Sequence, residues 1–142
     1  RDKALDKVKE SDDSGLEVDA LGKKPGVYSA RYAGEHATDE ENRKKLLKAM
    51  QNVPMSKRNA RFVSAIAVVF PDGKEFVVRG ICEGMIGFEE KGKNGFGYDS
   101  LFIVKGYDKT FGEIPSVIKN SISHRANALK LMKQEFIKRV VK

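Results

Sequence analysis

Cysteine is nearly missing from this sequence. Cys82 is the single one among 142 residues, which excludes an intramolecular disulfide framework and a thiolate zinc cluster. Long apolar runs are missing as well: none approaches the ~18 residues that a membrane span requires. No stretch reads as a secretory signal, so a cytoplasmic protein without membrane contact is expected. Internal repeats, low-complexity stretches and Pro/Ser-rich linkers are absent, and the length suits one domain. Histidine is scarce, with only His36 and His124, which leaves little material for a serine-protease-type triad. Cys82 lies beside Ile81 in a strand-like setting and reads as buried rather than nucleophilic.

Charge, by contrast, is plentiful. Lys and Arg number 27 against 20 Asp and Glu, a formal net charge of +7. The basic residues are scattered, at Lys23 and Lys24, Arg43 to Lys45, Lys57 and Arg58, Lys91 and Lys93, then Lys130 to Lys142. Most of them read as a solvated surface. A basic balance serves nucleic acid through counterion release, or free nucleotides through a phosphate pocket. No recognised nucleic-acid motif accompanies it, so a nucleic-acid-binding module is the distant alternative.

Patterning predicts a chain of mixed elements. Arg1 to Glu10 reads as a short helix with Ala4, Leu5 and Val8 as its stripe, and Ser11 to Gly15 as its break. Leu16 to Leu21 alternates apolar and polar residues, as a strand or a short helix. Lys24-Pro25-Gly26 reads as a turn. Thr38-Asp39-Glu40-Glu41 has capping-box spacing and opens a helix with Leu46, Leu47 and Met50 inward and Pro54 beyond its end. Arg61 to Phe70 and Glu75 to Ile81 flank the turn Pro71-Asp72-Gly73, which predicts a long antiparallel hairpin. Gly84 to Gly97 is glycine-rich and predicts loop or sheet edge; Leu101 to Val104 predicts a short buried strand. Ser123 is an N-cap candidate for a last helix carrying Leu129, Met132, Phe136, Ile137 and Val140. This order predicts an α/β or α+β domain built around a mixed sheet.

Three segments carry the residue types that chemistry needs. Asp12-Asp13-Ser14-Gly15 pairs two carboxylates, which suit magnesium shared with substrate phosphates, or the orientation of a water. An N-cap or Asx-turn accounts for the same residues. Gly92 to Asp99 lacks the P-loop pattern. Its Phe96 and Tyr98 rings, set among glycines, could stack a flat base, or could simply be core residues. Lys119-Asn120 and Ser123-His124-Arg125 place donors at a helix start, where cations are disfavoured unless they bind something. A surface His-Arg pair without a role is the plainer reading.

Taken in order, Asp12 to Val18, Pro25-Gly26-Val27-Tyr28-Ser29-Ala30-Arg31-Tyr32, Gly95-Phe96-Gly97-Tyr98-Asp99, Thr110-Phe111-Gly112-Glu113 and Lys119 to Arg125 resemble the inosine triphosphate pyrophosphatase (Ham1-like) family. The resemblance covers nearly the whole chain and implies one domain over residues 1–142, with an elongated mixed sheet, flanking helices and a homodimer. It also implies Mg2+-dependent cleavage of ITP, dITP and XTP to a monophosphate and pyrophosphate. By the same resemblance Asp13 is the proton acceptor and metal ligand. Ser14, Phe96, Gly97, Tyr98, Asp99, Lys119, His124 and Arg125 would bind substrate.

The departures lie at the front. The family's Ser-Gly-Asn-x-x-Lys loop, which holds the triphosphate, and its Thr-Phe-x-Glu-Asn segment do not occur in this sequence. A helix running into Asp12 is expected where the family has a buried strand. Ser100 replaces a favoured proline and Gly112 a favoured alanine. With the triphosphate loop missing, the alternative function is a nucleotide-binding dimer of weak or no activity.

Overall fold

A computed structural model describes residues 9–140. Five strands form one sheet: β1 (Lys9–Val18), β2 (Lys24–Gly26), β3 (Asn59–Val69), β4 (Glu75–Ile86) and β5 (Phe102–Val104), in the order β2-β1-β3-β4-β5. The described pairings are all antiparallel. Three helices accompany them, α1 (Asp39–Met50), α2 (Ser116–Ile122) and α3 (His124–Val140). The expectation of an α/β or α+β domain is met in its α+β form, with the described sheet antiparallel rather than mixed because its neighbouring strands pair as hairpins and returning segments.

The strongest local signals are met in detail. The β3–β4 hairpin turns through 70–74 and runs in register from Val69↔Glu75 to Asn59↔Met85. Its second strand extends five residues past Ile81, so the loop expected from Gly84 begins only after Ile86. Long-range pairing with β3 carries the strand through Gly84, whose missing side chain leaves room for the Phe102 ring. Thr38 Oγ1 accepts from Glu41 N–H at 3.1 Å and Glu41 Oε1 accepts from Thr38 N–H at 2.8 Å, a complete capping box. Ser123 caps α3, its Oγ accepting from Ala126 N–H at 3.1 Å. Leu129, Met132 and Phe136 of α3 pack on the sheet, whereas Ile137 turns outward.

The start of the described chain differs from expectation. The helix expected over Arg1–Glu10 falls outside the described residues up to Val8, and Lys9 and Glu10 are already strand. Ser11 to Gly15 is no break: it continues β1, paired with β3 from Lys9↔Val69 to Val18↔Ala60. A charged segment serves as a strand here because it is not buried. Asp12, Asp13 and Ser14 are exposed, and only Leu16 and Val18 enter the core. An antiparallel sheet tolerates such water-facing stretches. Lys24-Pro25-Gly26, expected as a turn, pairs with Leu16–Val18 as the short edge strand β2.

One face of the sheet carries two buried clusters. Leu16, Val18, Phe62, Cys82, Phe102 and Phe111 pack with Leu46 and Met50 of α1; Ile66, Val68 and Phe76 pack under Ala128 and Met132 of α3. The α3 backbone approaches so closely that a Cβ at Gly80 would run into Ala128 N and His124 O. That contact fixes the start of α3 over the middle of β4.

A buried arginine ties the far end together. Arg58 is 1% exposed and donates to Met50 O (2.6 Å), Val53 O (3.0 Å), Ile86 O (2.7 Å) and Gly87 O (2.7 Å). It thereby bonds carbonyls at and just past the ends of α1 and β4. The Phe88 ring lies 4.0 Å from its guanidinium carbon. Among the described residues, no helix is long and apolar enough to cross a membrane.

Candidate functional site

The site grows from the alternation of β1. Once Asp12 to Val18 is a strand, Asp12, Ser14, Leu16 and Val18 share the core side, and Asp13, Gly15 and Glu17 the other. On the core side, Ser14 and Leu16 line a cleft of about 180 Å³ together with Phe62, Phe96–Asp99, Lys119 and His124. The aromatic turn, the end of β1 and the α2–α3 junction meet in this cleft.

Each contributor is held by its own bonds. Tyr98 is 5% exposed and donates its hydroxyl to Ser29 O at 2.7 Å. Burial holds that phenol well above its ordinary pKa. Ser29 in turn donates to Gly26 O (2.6 Å) and accepts from Leu16 N–H (2.8 Å), fastening the turn after β2 to β1. Gly15 permits this approach, since a Cβ there would strike Gly26 O. Asp99 accepts from Phe96 N–H at 3.0 Å and from Lys119 Nζ at 2.6 Å, an ion pair with little exposure. The Lys119 ammonium lies 4.8 Å from the Phe96 ring centroid.

His124 is strongly perturbed by its surroundings. Its ring stacks on Phe62 with centroids 5.0 Å apart and planes 22° apart. Burial pushes its pKa down to about 4, against a smaller opposing pull from Asp99. The imidazole is therefore neutral near pH 7, which removes the conflict with the helix N-terminus for His124, while the Arg125 cation in the same turn meets Asp12. Its Nδ1 is buried without a hydrogen-bond partner, an uncommon condition for a native polar atom.

The two aspartates separate. Asp12 accepts from the buried Ser64 hydroxyl at 3.1 Å and meets Arg125 Nη2 at 3.4 Å. Arg125 itself is mostly exposed beside the cleft. Asp13 lines a second depression, of about 190 Å³, with Glu17, Ala65 and Arg79 on the other side of the sheet. Ser14 and Gly15 line both hollows, so they meet at this edge of the sheet. Among the described residues no cluster of three or more His, Cys, Asp or Glu side chains could hold a metal.

The sequence pattern of the Ham1 family matches residues 2–135. The chain belongs to the Ham1 family. It is 50% identical over 127 residues to a dITP/XTP pyrophosphatase of Bacillus cereus, an alignment covering 88% of this chain and 62% of that protein. A dITP/XTP pyrophosphatase of Caldanaerobacter subterraneus is 49% identical over 140 residues, covering 99% of this chain and 70% of the relative. The fold superposes on the Staphylococcus aureus Ham1 protein with a TM-score of 0.87 at 46% identity, over 96% of this chain and 69% of that one. The chain thus spans about three fifths of the length of the Bacillus cereus relative.

Within this Ham1 chain, seven residues singled out from sequence, Ser14, Phe96, Gly97, Tyr98, Asp99, Lys119 and His124, line one cleft. Arg125 lies at its side through Asp12, and Asp13 lies around the sheet edge. Sequence reasoning missed Phe62, which supports His124, and Asp39 and Arg43 of α1, which bond Gly97. Phe62 was legible only as a strand former. Asp39 and Arg43 show a local signal for helix start and surface charge, and none for a loop more than fifty residues away. Cys82 is buried, and burial raises its thiol pKa to about 11, so it is no nucleophile near neutral pH.

Proposed function

We propose that this chain binds deaminated purine nucleoside triphosphates (ITP, dITP, XTP) and cleaves them to the monophosphate and pyrophosphate. The observation that carries the reading is one cleft uniting an aromatic turn, a paired lysine and a neutral histidine with an orphaned ring nitrogen. The names of the relatives agree with it. The Phe96 ring, 77% exposed, is available for stacking on a purine. A neutral imidazole offers one donor and one acceptor. Six-oxo purines present an acceptor at position six, whereas adenine presents a donor there. A donor on His124 or Arg125 would face another donor if adenine entered, and an unpaired buried polar group costs ~1–3 kcal/mol.

In the cleavage step, a water oxygen forms a bond to the α-phosphorus and the bond to the α–β bridging oxygen breaks. The leaving pyrophosphate keeps the electron pair, and Asp13 accepts the water proton. Positioning and charge supply the rate in such a transfer. A Mg2+ ion fits the donor set only in a sparing way. Asp12 is committed to Ser64 and Arg125, which leaves Asp13, with the remaining oxygens drawn from phosphates and water, as Mg2+ commonly accepts. When bound there, the ion would neutralise charge developing on the phosphates. The homodimer implied by the resemblance and the cytoplasmic setting expected from composition belong to the same reading.

The deciding experiment is pyrophosphate release with Mg2+. The expected result is turnover of ITP at least about tenfold faster than ATP, with near-complete loss in Asp13→Asn. Equal rates on both nucleotides would remove the basis for base selection. One observation favours a second reading, a nucleotide-binding dimer with little turnover: Asp13 faces away from the cleft that would hold the base. Calorimetric binding of ITP without monophosphate formation would establish it.

A further inference from the structure

Gly97 lies between the exposed Phe96 ring and the buried Tyr98, with a positive φ of +59°. A Cβ at this position would meet nothing within 4 Å, so that side of the residue is open. Hydrogen bonds from α1 hold both of its polar groups. Its N–H donates to Asp39 Oδ2 at 3.1 Å, and its carbonyl accepts from Arg43 Nη1 at 2.9 Å. Asp39 and Arg43 are four residues apart and share one face of the helix. Arg43 is itself secured, since its Nε donates to Glu90 Oε1 at 2.6 Å and Glu90 accepts from Ser100 Oγ at 2.9 Å. Glu90 and Ser100 bracket the glycine-rich loop, so one guanidinium links the loop's two ends to its apex.

We propose that Arg43 is a positioning residue: with Asp39 it grips both polar groups of Gly97, sets where the Phe96 ring stands, and so sets nucleotide affinity. The part concerning affinity rests on the function proposed above; the grip on the loop does not. Arg43 touches no reacting atom, and its loss should act on binding rather than on the chemical step. Bonds to a charged donor are stronger than neutral ones, and a guanidinium that joins two partners is poorly replaced by an ammonium.

The test uses Arg43→Met and Arg43→Lys, with Glu90→Gln as a milder variant that weakens the support of Arg43 alone. Amide hydrogen exchange in the nucleotide-free protein reads the grip directly. Exchange at Phe96, Gly97 and Tyr98 should accelerate about tenfold in Arg43→Met, less in the other two, with β3 and β4 amides unchanged. The Kd for inosine monophosphate and the KM for ITP should each rise about five- to tenfold. Their kcat should stay within about twofold of wild type, and Arg43→Lys should recover part of the loss. Unchanged exchange in the turn would overturn the proposal, as would a fall in kcat at constant KM. Faster exchange with unchanged Kd for inosine monophosphate would overturn its affinity part. If the wild-type chain turns over no ITP, the proposed activity fails while exchange still decides the grip.

Discussion

His124 shows how one side chain combines a stability cost with a binding opportunity. Its pKa falls from an ordinary 6.5 to about 4 because burial against Phe62 disfavours the cation. The unfolded chain therefore binds a proton that the folded chain refuses, and folding stability must fall as pH drops from about 6.5 towards 4. Urea unfolding at a series of pH values should show this loss, no larger than about 3 kcal/mol for this group. His124→Asn should flatten that part of the profile. An unchanged slope in the variant would assign the acid sensitivity to other groups. Arg58 presents the opposite case, a buried cation with four carbonyl acceptors, and burial pulls its pKa below the usual arginine value. Removing it takes a charged donor from all four carbonyls, of which Met50 O keeps its bond from Val53 N–H, so Arg58→Ala should cost about 3 kcal/mol or more by urea unfolding. Arg58→Lys should restore only part of this.

Among the elements, α3 depends on a single glycine for its seat. A methyl group at Gly80 would collide with the α3 backbone at Ala128 and His124. Gly80→Ala should destabilise the protein by about 2 kcal/mol or more, and should weaken nucleotide binding by displacing His124 and Arg125 together. Thermal unfolding and inosine monophosphate titration would check both effects. The elements also show what could be read from the chain. The hairpin, the Thr38 capping box and the Ser123 cap were legible because each is written in neighbouring residues. β1 was legible only at its end, in the alternation from Leu16: over Asp12 to Gly15 its strand character comes from pairing with β3 some fifty residues later, while the local composition suits a turn. Missing that strand also hid the consequence that Asp12 and Asp13 point to opposite sides. The cleft residues were legible through ordered motifs. The α1 contacts to Gly97 were not, since a side chain reaching a distant backbone group leaves no local pattern.

At the scale of the molecule, the sheet serves as a frame whose core side gathers distant segments at one place. β1 brings Ser14, the glycine-rich loop brings Phe96 to Asp99, and the α2–α3 junction brings Lys119 and His124. Asp13 stands around the edge at Gly15, where the two hollows meet. The chain belongs to the Ham1 family, and under the function proposed above a six-oxo purine nucleotide occupies this cleft. The most direct measurement is an NMR titration of the isotope-labelled protein with inosine monophosphate, with adenosine monophosphate as comparison. Amides of residues 14–16, 96–99 and 119–125 should shift together with one dissociation constant, and the adenine nucleotide should bind more weakly. Shifts confined to the Asp13 and Arg79 side of the sheet would contradict the cleft's assignment as the purine site, and equal binding of both nucleotides would contradict its selection of a six-oxo base.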